Sequence, residues 1–404
     1  MKHLLPILLL LLLIGCPKPD DDIICGQGMM LDADTCACIP NSHPADDGES
    51  CECDSLYHWN DDMTVCVLDT SSHDFIWVVD TLGLYGGIVR DVVIISENDI
   101  RIVGEMWLPD PDSSYNGSGR EMFNSAKWDG QEWEYIAIET EFFGNTIRPR
   151  LHSILYFVDD DVWVTDSGYP LHWDGLKWTI YQFYLMGLVN SAGLDMWGNA
   201  SDNIFFVGGN GGIVHYDGST FTRMISDTEI DLYGVSGSND GEHVFACGWR
   251  DNSPLGSIAL ELVEGGWETI YSAVSSMPNN NYGWVESVDV FGGVAYFSTL
   301  AGLWEYNYVD ATSTLIPNTD PKYSFLFRDT DNLICNNPND LFLIGRDFTI
   351  IHFNGSTWNF DDQFLAKYGV SNVYAKGVDY KNDMLVIGGY FDGGKPIVAR
   401  GYRN

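Results

Sequence analysis

"LDMWGNASDNIFFVGGNGGIVHYDGSTFTRMI", Leu194–Ile225, decides the fold of this chain. Three turn signals cut it into four short runs. Leu194–Trp197 meets Asn/Ser/Asp, Ile204–Val207 meets Gly/Asn, Ile213–Tyr216 meets Asp217-Gly218, and Phe221–Ile225 closes the unit. Asp-Gly supplies the positive φ of a tight hairpin, and the aromatics on either side can pair across strands. The same phrase returns as "SAKWDGQEW" (Ser125–Trp133), "PLHWDGLKW" (Pro170–Trp178) and "IIHFNGSTW" (Ile350–Trp358). Four short strands repeated at roughly 45 residues are the pattern of propeller blades.

The aromatic that opens each fourth strand counts the blades. Trp133, Trp178, Phe221, Trp267, a degenerate place near Thr312, and Trp358 follow at steps of 43 to 46 residues. One step back from Trp133 lies Trp77, with the insertion "LPDPDSSYNGSG" (Leu108–Gly119) between them. The last unit, "MLVIGGYFDGGKPIVARGYRN" (Met384–Asn404), stops where its fourth strand is due. The orphan "DFIWVV" (Asp74–Val79) fits that gap. The expected fold is therefore all-β: a seven-bladed propeller over residues 72–404, closed by Asp74–Val79 pairing antiparallel with Pro396–Arg400. Cys247 and Cys335 fall in blades four and six, too far apart to bond, and are expected to stay free.

"SDNIFFVGGNGGIVHYDGSTF" (Ser201–Phe221) and "NDLFLIGRDFTIIHFNGSTW" (Asn339–Trp358) carry a wording that resembles a known group. It is similar to the tandem SD-[VI]-[WF]-x-VG…H-[WY]-DG-x-x-W repeats of secreted proteins and lipoproteins from myxobacteria and related Gram-negatives. The resemblance implies a β-propeller and supplies no catalytic residues.

Ahead of the repeats, Lys2 and His3 precede the apolar run "LLPILLLLLLIG", then Cys16. The run is too short to span a bilayer and fits a signal peptide over residues 1–15. "LIGC" (Leu13–Cys16) resembles the lipobox of bacterial lipoproteins, which implies acylation at Cys16 and a membrane partner through the lipid. An acidic tether follows over residues 16–24. "CPKPDDD" also resembles the surface-export signals of some Gram-negative lipoproteins, so the expected place is the outer membrane, facing the periplasm or the exterior.

Cys25, Cys36, Cys38, Cys51, Cys53 and Cys66 crowd into residues 25–67. In an exported chain this reads as a disulfide framework rather than a zinc site. "CECDSLYHWNDDMTVC" (Cys51–Cys66) resembles the latter half of an EGF-like module. That resemblance implies Cys25–Cys38, Cys36–Cys51 and Cys53–Cys66.

Asp and Glu number 58 against 20 Lys and Arg, a net charge of −38. Nucleic acid is excluded as a partner by repulsion. His172, His215 and His352 occupy equivalent places in different blades, so they point outward around the ring and read as scaffold. No cofactor is expected. The one spacing that fits a calcium loop is Asp110, Asp112, Ser114 and Glu121, and it lacks the glycine such a loop needs at its sixth place, occupied here by Tyr115.

The loops that join each fourth strand to the next blade break the repeat. They hold Tyr85, Phe183, Tyr184, Tyr282 and Trp284, with Arg148 and Arg150 among few cations. Aromatics beside polar groups suit a protein or glycan ligand. The chain shows no G-x-S-x-G, H-E-x-x-H or phosphate loop. A non-catalytic binding or scaffold module is the leading reading. A polysaccharide hydrolase or lyase is its rival, and it requires carboxylates or a metal converging in the central funnel.

Overall fold

The structure, a computed structural model, describes residues 29–404 apart from 33–34, 47–49, 55, 61–63, 111, 113–118, 167, 190–191, 253–255, 275–282, 318–331, 346–347, 362–372 and 392. Cys16, Cys25 and Tyr282 lie outside the described residues. The chain divides into two compact units, Met1–Asp69 and Thr70–Asn404. Among the described residues no helix is long and apolar enough to cross a membrane.

The second unit is a seven-bladed β-propeller, each blade one four-stranded antiparallel sheet. Blades 1 to 6 occupy residues 88–136, 151–180, 195–224, 232–273, 285–317 and 332–361. Blade 7 takes three strands from residues 374–403 and its outer strand, Phe75–Thr81, from the other end of the unit. The first strands of neighbouring blades touch in one closed cycle, so they line the ring axis. Apolar side chains on facing sheets fill the seams: Val207, Ile213, Leu232, Ala246 and Leu260 between blades 3 and 4 are typical.

The hairpin phrase has a physical reading in every word. The loop between third and fourth strand is four residues long, closed by the pairs Trp128↔Trp133, Trp173↔Trp178, Tyr216↔Phe221 and Phe353↔Trp358. Those rings meet at 4.6–5.6 Å. The Asp217 carboxylate accepts the amides of Ser219 and Thr220 at 2.9 and 2.7 Å. Gly218 sits at φ +85°, and a Cβ there would lie 2.6 Å from Asp202 in the turn between the first two strands. The residue is fixed as glycine by backbone and by contact at once. The repeat histidines complete the unit. His172, His215 and His352 stack on Trp163, Phe205 and Phe342 at 4.2–4.4 Å. Their Nε2 atoms bond Asp161, Asn203 and Asp340 at 2.8–2.9 Å.

Ring closure follows the expected pairing and extends it. Phe75–Thr81 pairs antiparallel with Lys395–Arg403, from Phe75↔Arg403 to Thr81↔Ile397. The chain just before it is fastened as well. Ser71 Oγ donates to the Asn339 carbonyl at 2.9 Å, and His73 Nδ1 lies 2.8 Å from His352 Nδ1. Arg403 donates to both Asp340 oxygens and to the Ser72 carbonyl. Burial opposes ionisation of Asp340, but His352 and Arg403 override it and hold the carboxyl down at about 2. Cys247 and Cys335 are buried and free, with burial pushing both thiols up.

In the first unit Cys53–Cys66 forms as the EGF-type pairing implies, and the other two implied bridges, Cys25–Cys38 and Cys36–Cys51, are corrected. Three two-stranded hairpins follow one another, and the bridges run Cys38–Cys51 and Cys53–Cys66, each across 13 residues. Cys36 is disulfide-bonded as well, so Cys51 is not its partner. The cause is an internal period of 15 residues. His43–Asp54 repeats as His58–Asp69, and positive φ at Asn41 repeats at Leu56. The framework is serial: each bridge joins the second strands of successive hairpins.

Candidate binding face

One face of the ring holds the four-residue hairpins. The other gathers the blade-joining segments and the turns between second and third strands. The sequence-derived residues that are described belong to the segments of this second face, and the structure sorts them.

Tyr184 is 62% exposed, at the crown of a coiled turn with Leu185 and Met186 also exposed. Phe183, one residue earlier, is fully buried against Phe206 and Phe221, and this corrects its reading as a ligand contact. The loop folds back onto blade 3, and one ring must plug the seam. Arg148 is corrected too. It is only 11% exposed, ion-paired to Glu121 and Glu139 at 3.1 and 2.7 Å, and bound to the Met122 carbonyl, so it ties the joining segment to blade 1. Glu121 is thereby spent on an arginine. Of the calcium-like spacing, Ser114 lies outside the described residues, and Asp110 accepts the Asp112 amide at 3.1 Å.

Arg150 is 68% exposed and reaches Glu105 at 3.3 Å. Tyr85 is exposed, with Lys395 Nζ 4.6 Å from its ring centre. Trp284 stacks on Trp249 at 4.3 Å, and Tyr233 leans on Trp249 at 5.6 Å with its own ring exposed. Tyr233 was missed because it sits inside a first strand, not in a joining loop.

A second missed feature lines the axis. Asp91, Asp195, Asp289 and Asp379 stand in the first strands of blades 1, 3, 5 and 7. Each carboxylate accepts the amide of the residue after it and an amide of the next blade: Ile154, Val235, Cys335 and Ile94, at 2.6–3.0 Å. Ser153 Oγ donates to Asp91 at 3.0 Å and Ser236 Oγ to Asp289 at 2.9 Å. Burial pushes Asp91 up to about 7 and Asp195 and Asp379 up to about 6, with their backbone hydrogen bonds pulling the other way. Asp289 moves upward for the same reason. Asp195 adds repulsion at Asp91, and Asp289 at Asp379. Carboxylates do converge here, as a funnel hydrolase would require, but all four are engaged as staples between blades. A signal existed in the sequence: an Asp followed by an apolar residue in every second first strand, as in "RDVV", "LDMW", "VDVF" and "VDYK".

No family model and no curated protein matches the chain. Solved structures do. A structure of YCF48 bound to D1 peptide is 15% identical with a TM-score of 0.54, covering 83% of this chain and 98% of that one. The extracellular domain of a hybrid two-component system from B. thetaiotaomicron is 13% identical with a TM-score of 0.55, covering 81% and 42%. That of a one-component system from the same organism is 11% identical with a TM-score of 0.51, covering 79% and 40%. At these identities the likeness is one of fold: a β-propeller of the kind found in extracellular bacterial domains.

Proposed function

We propose that the protein is a lipid-anchored component of the cell envelope whose propeller binds a protein or glycan through its loop face, without catalysis. The observation that carries this reading is the asymmetry of the two faces. The hairpin face is built from turns whose carboxylates cap their own backbone, as at Asp129, Asp174 and Asp217. The loop face presents Tyr85, Tyr184, Tyr233 and Arg150 outward. Exposed aromatics and arginines are the anchor residues of binding surfaces. A propeller neighbour solved with a bound peptide supports the reading by analogy.

The test is a glycan and peptide array probed with the full chain. Tyr184→Ser with Tyr233→Ser is expected to lower the signal at least about tenfold with little change in melting, the loss of two anchor side chains. Asp217→Ala is expected to lower the melting temperature and leave binding intact. The reverse pattern places the ligand on the hairpin face and sinks the proposal. The anchor is tested separately. Cys16→Ser is expected to leave an unprocessed precursor, and uptake of labelled fatty acid by that variant refutes acylation at Cys16.

A further inference from the structure

A cleft of about 580 Å³ opens on the loop face where blade 7 meets blade 1. Among the described residues that line it, the cations are Arg90, Arg120 and Arg150, against one acid, Glu105. A larger cleft of about 710 Å³ against blade 2 carries Glu139 and Glu141 against Lys177, the sign expected of a chain with net charge −38. Three arginines in one wall of such a chain stand out against that background.

The arginines are held in place rather than scattered. Glu105 is buried and takes Arg90 Nη2 at 3.2 Å and Arg150 Nε at 3.3 Å, one nitrogen from each. A single carboxylate thus positions two guanidinium forks and neutralises one charge. Arg120 donates Nη1 to the Tyr85 carbonyl at 2.9 Å and lies over Trp107 at 5.1 Å. The floor is backbone: Gly86 and Gly87 face Gly393 and Gly394, joined by the Gly87 amide to the Gly394 carbonyl at 2.7 Å. A Cβ at Gly87 would come within 2.4 Å of the Glu105 carbonyl, so the floor cannot rise. Just behind the wall, burial lowers His152 to about 4, with the neighbouring Arg90 adding to the effect.

We infer that this cleft binds the carboxylate of a short peptide segment, a chain terminus or a single acidic side chain, through the forks of Arg90, Arg120 and Arg150. The inference rests on the loop-face reading above and names its ligand chemistry. Planar forks match a carboxylate in bidentate fashion. Two observations separate a peptide from an acidic glycan. Sugars stack on open aromatic faces, but the aromatics lining this cleft are engaged: Trp107 lies under Arg120 and Tyr390 stacks on Tyr374. A polyanion longer than the cleft also meets the acidic surface around it and is repelled.

The experiment uses the full chain and a fluorescein-labelled pentapeptide that ends in Asp with a free terminus. A counterpart ending in Asn-amide and a polygalacturonate competitor complete the set. The acid peptide is expected to bind, and to bind at least about tenfold tighter than the amide, since hydrogen bonds to a charged group are stronger than those to a neutral one. Binding should weaken as salt rises. Arg150→Ala is expected to cost about tenfold and Arg150→Glu to abolish binding. Melting should change little for Arg150→Ala, since Arg90 still pairs Glu105, and should fall for Arg150→Glu, whose carboxylate faces the buried Glu105. Arg101→Ala, paired with Asp99 and Asp159 away from the cleft, is expected to bind as wild type. Equal affinity for acid and amide overturns the inference, as does retained binding in Arg150→Glu. Displacement by polygalacturonate at lower concentration than by unlabelled peptide overturns the peptide class. Array signals lost with Tyr184 and Tyr233 but kept in Arg150→Glu leave the loop-face reading standing and remove this one.

Discussion

Deleting residues 72–82 is expected to abolish the folded propeller, read as loss of the cooperative melting transition and appearance of aggregate. The segment is small, but three independent fastenings go with it. The outer strand of blade 7 is lost along the whole Phe75–Thr81 register. Phe75, Trp77 and Val79 leave the core they pack against, where Phe342, Ile387 and Ala399 are buried. Asp80 leaves Arg400, a buried guanidinium that it holds at 2.8 Å, and Arg400 is then an uncompensated buried charge. Breaking such a pair from one side costs about 3–5 kcal/mol, and the bare edge of Lys395–Arg403 becomes a template for other chains. A milder variant keeps the test sharp. Asp80→Asn is expected to lower the melting temperature measurably while leaving the chain monomeric. If the deletion melts as wild type, closure by this strand is refuted, and the count of seven blades with it.

As pH falls from 8 to about 6.5, the wild type is expected to gain melting temperature relative to Asp91→Asn. Burial raises the folded pKa of Asp91 to about 7. In that window its carboxyl takes up a proton in the fold, while in the unfolded chain, near its ordinary value, it takes up none. Its contribution to stability therefore rises as pH falls, by at most about 1.4 kcal/mol per pH unit. Asp195 and Asp379, raised to about 6, act in the same direction at lower pH. His73, His152, His215 and His352 are lowered by burial first, so in the same window the unfolded chain binds protons there that the fold does not, and their contribution has the opposite sign. The variant keeps these histidines, so the difference between the two proteins isolates Asp91. Differential scanning calorimetry of both proteins across pH 5–8 reads the outcome, and a difference that does not move toward the wild type between pH 8 and 6.5 refutes the account.

How far the sequence could be read follows from the range of the interaction involved. The hairpin phrase is local, and its parts lie within about twenty residues, so blade number, closure and even the degenerate fourth strand at Thr312 were legible. That strand, Thr312–Pro317, begins at the expected place without Asp-Gly, because Asn307 and Asp310 cap the turn instead. The axial aspartates have no local meaning. Asp91 works on Ile154, and Asp289 on Cys335, through partners in another blade. Phe183 and Tyr184 are neighbours in one loop, and only the packing of blade 3 decides which ring turns inward. In the cysteine module Cys53–Cys66 was legible, and the other two bridges were missed for a different reason. A resemblance to one module hid a 15-residue period visible in "CACIPNSH" and "CECDSLYH".

The closing strand also sets how the molecule carries load. Phe75 stands at the hairpin face and Thr81 leads straight into Gly86 and Gly87 on the loop face. A pull between the N-terminal side of the chain and a partner seated in that cleft runs lengthwise along this one strand. The force shears it against Lys395–Arg403, and seven register pairs resist together, where a crosswise pull would peel them one after another. The path passes through blade 7 and the start of blade 1 and leaves the other five blades unstressed. Rupture under tension is then governed by the unfolding rate of a single strand pair rather than by the stability of the whole ring.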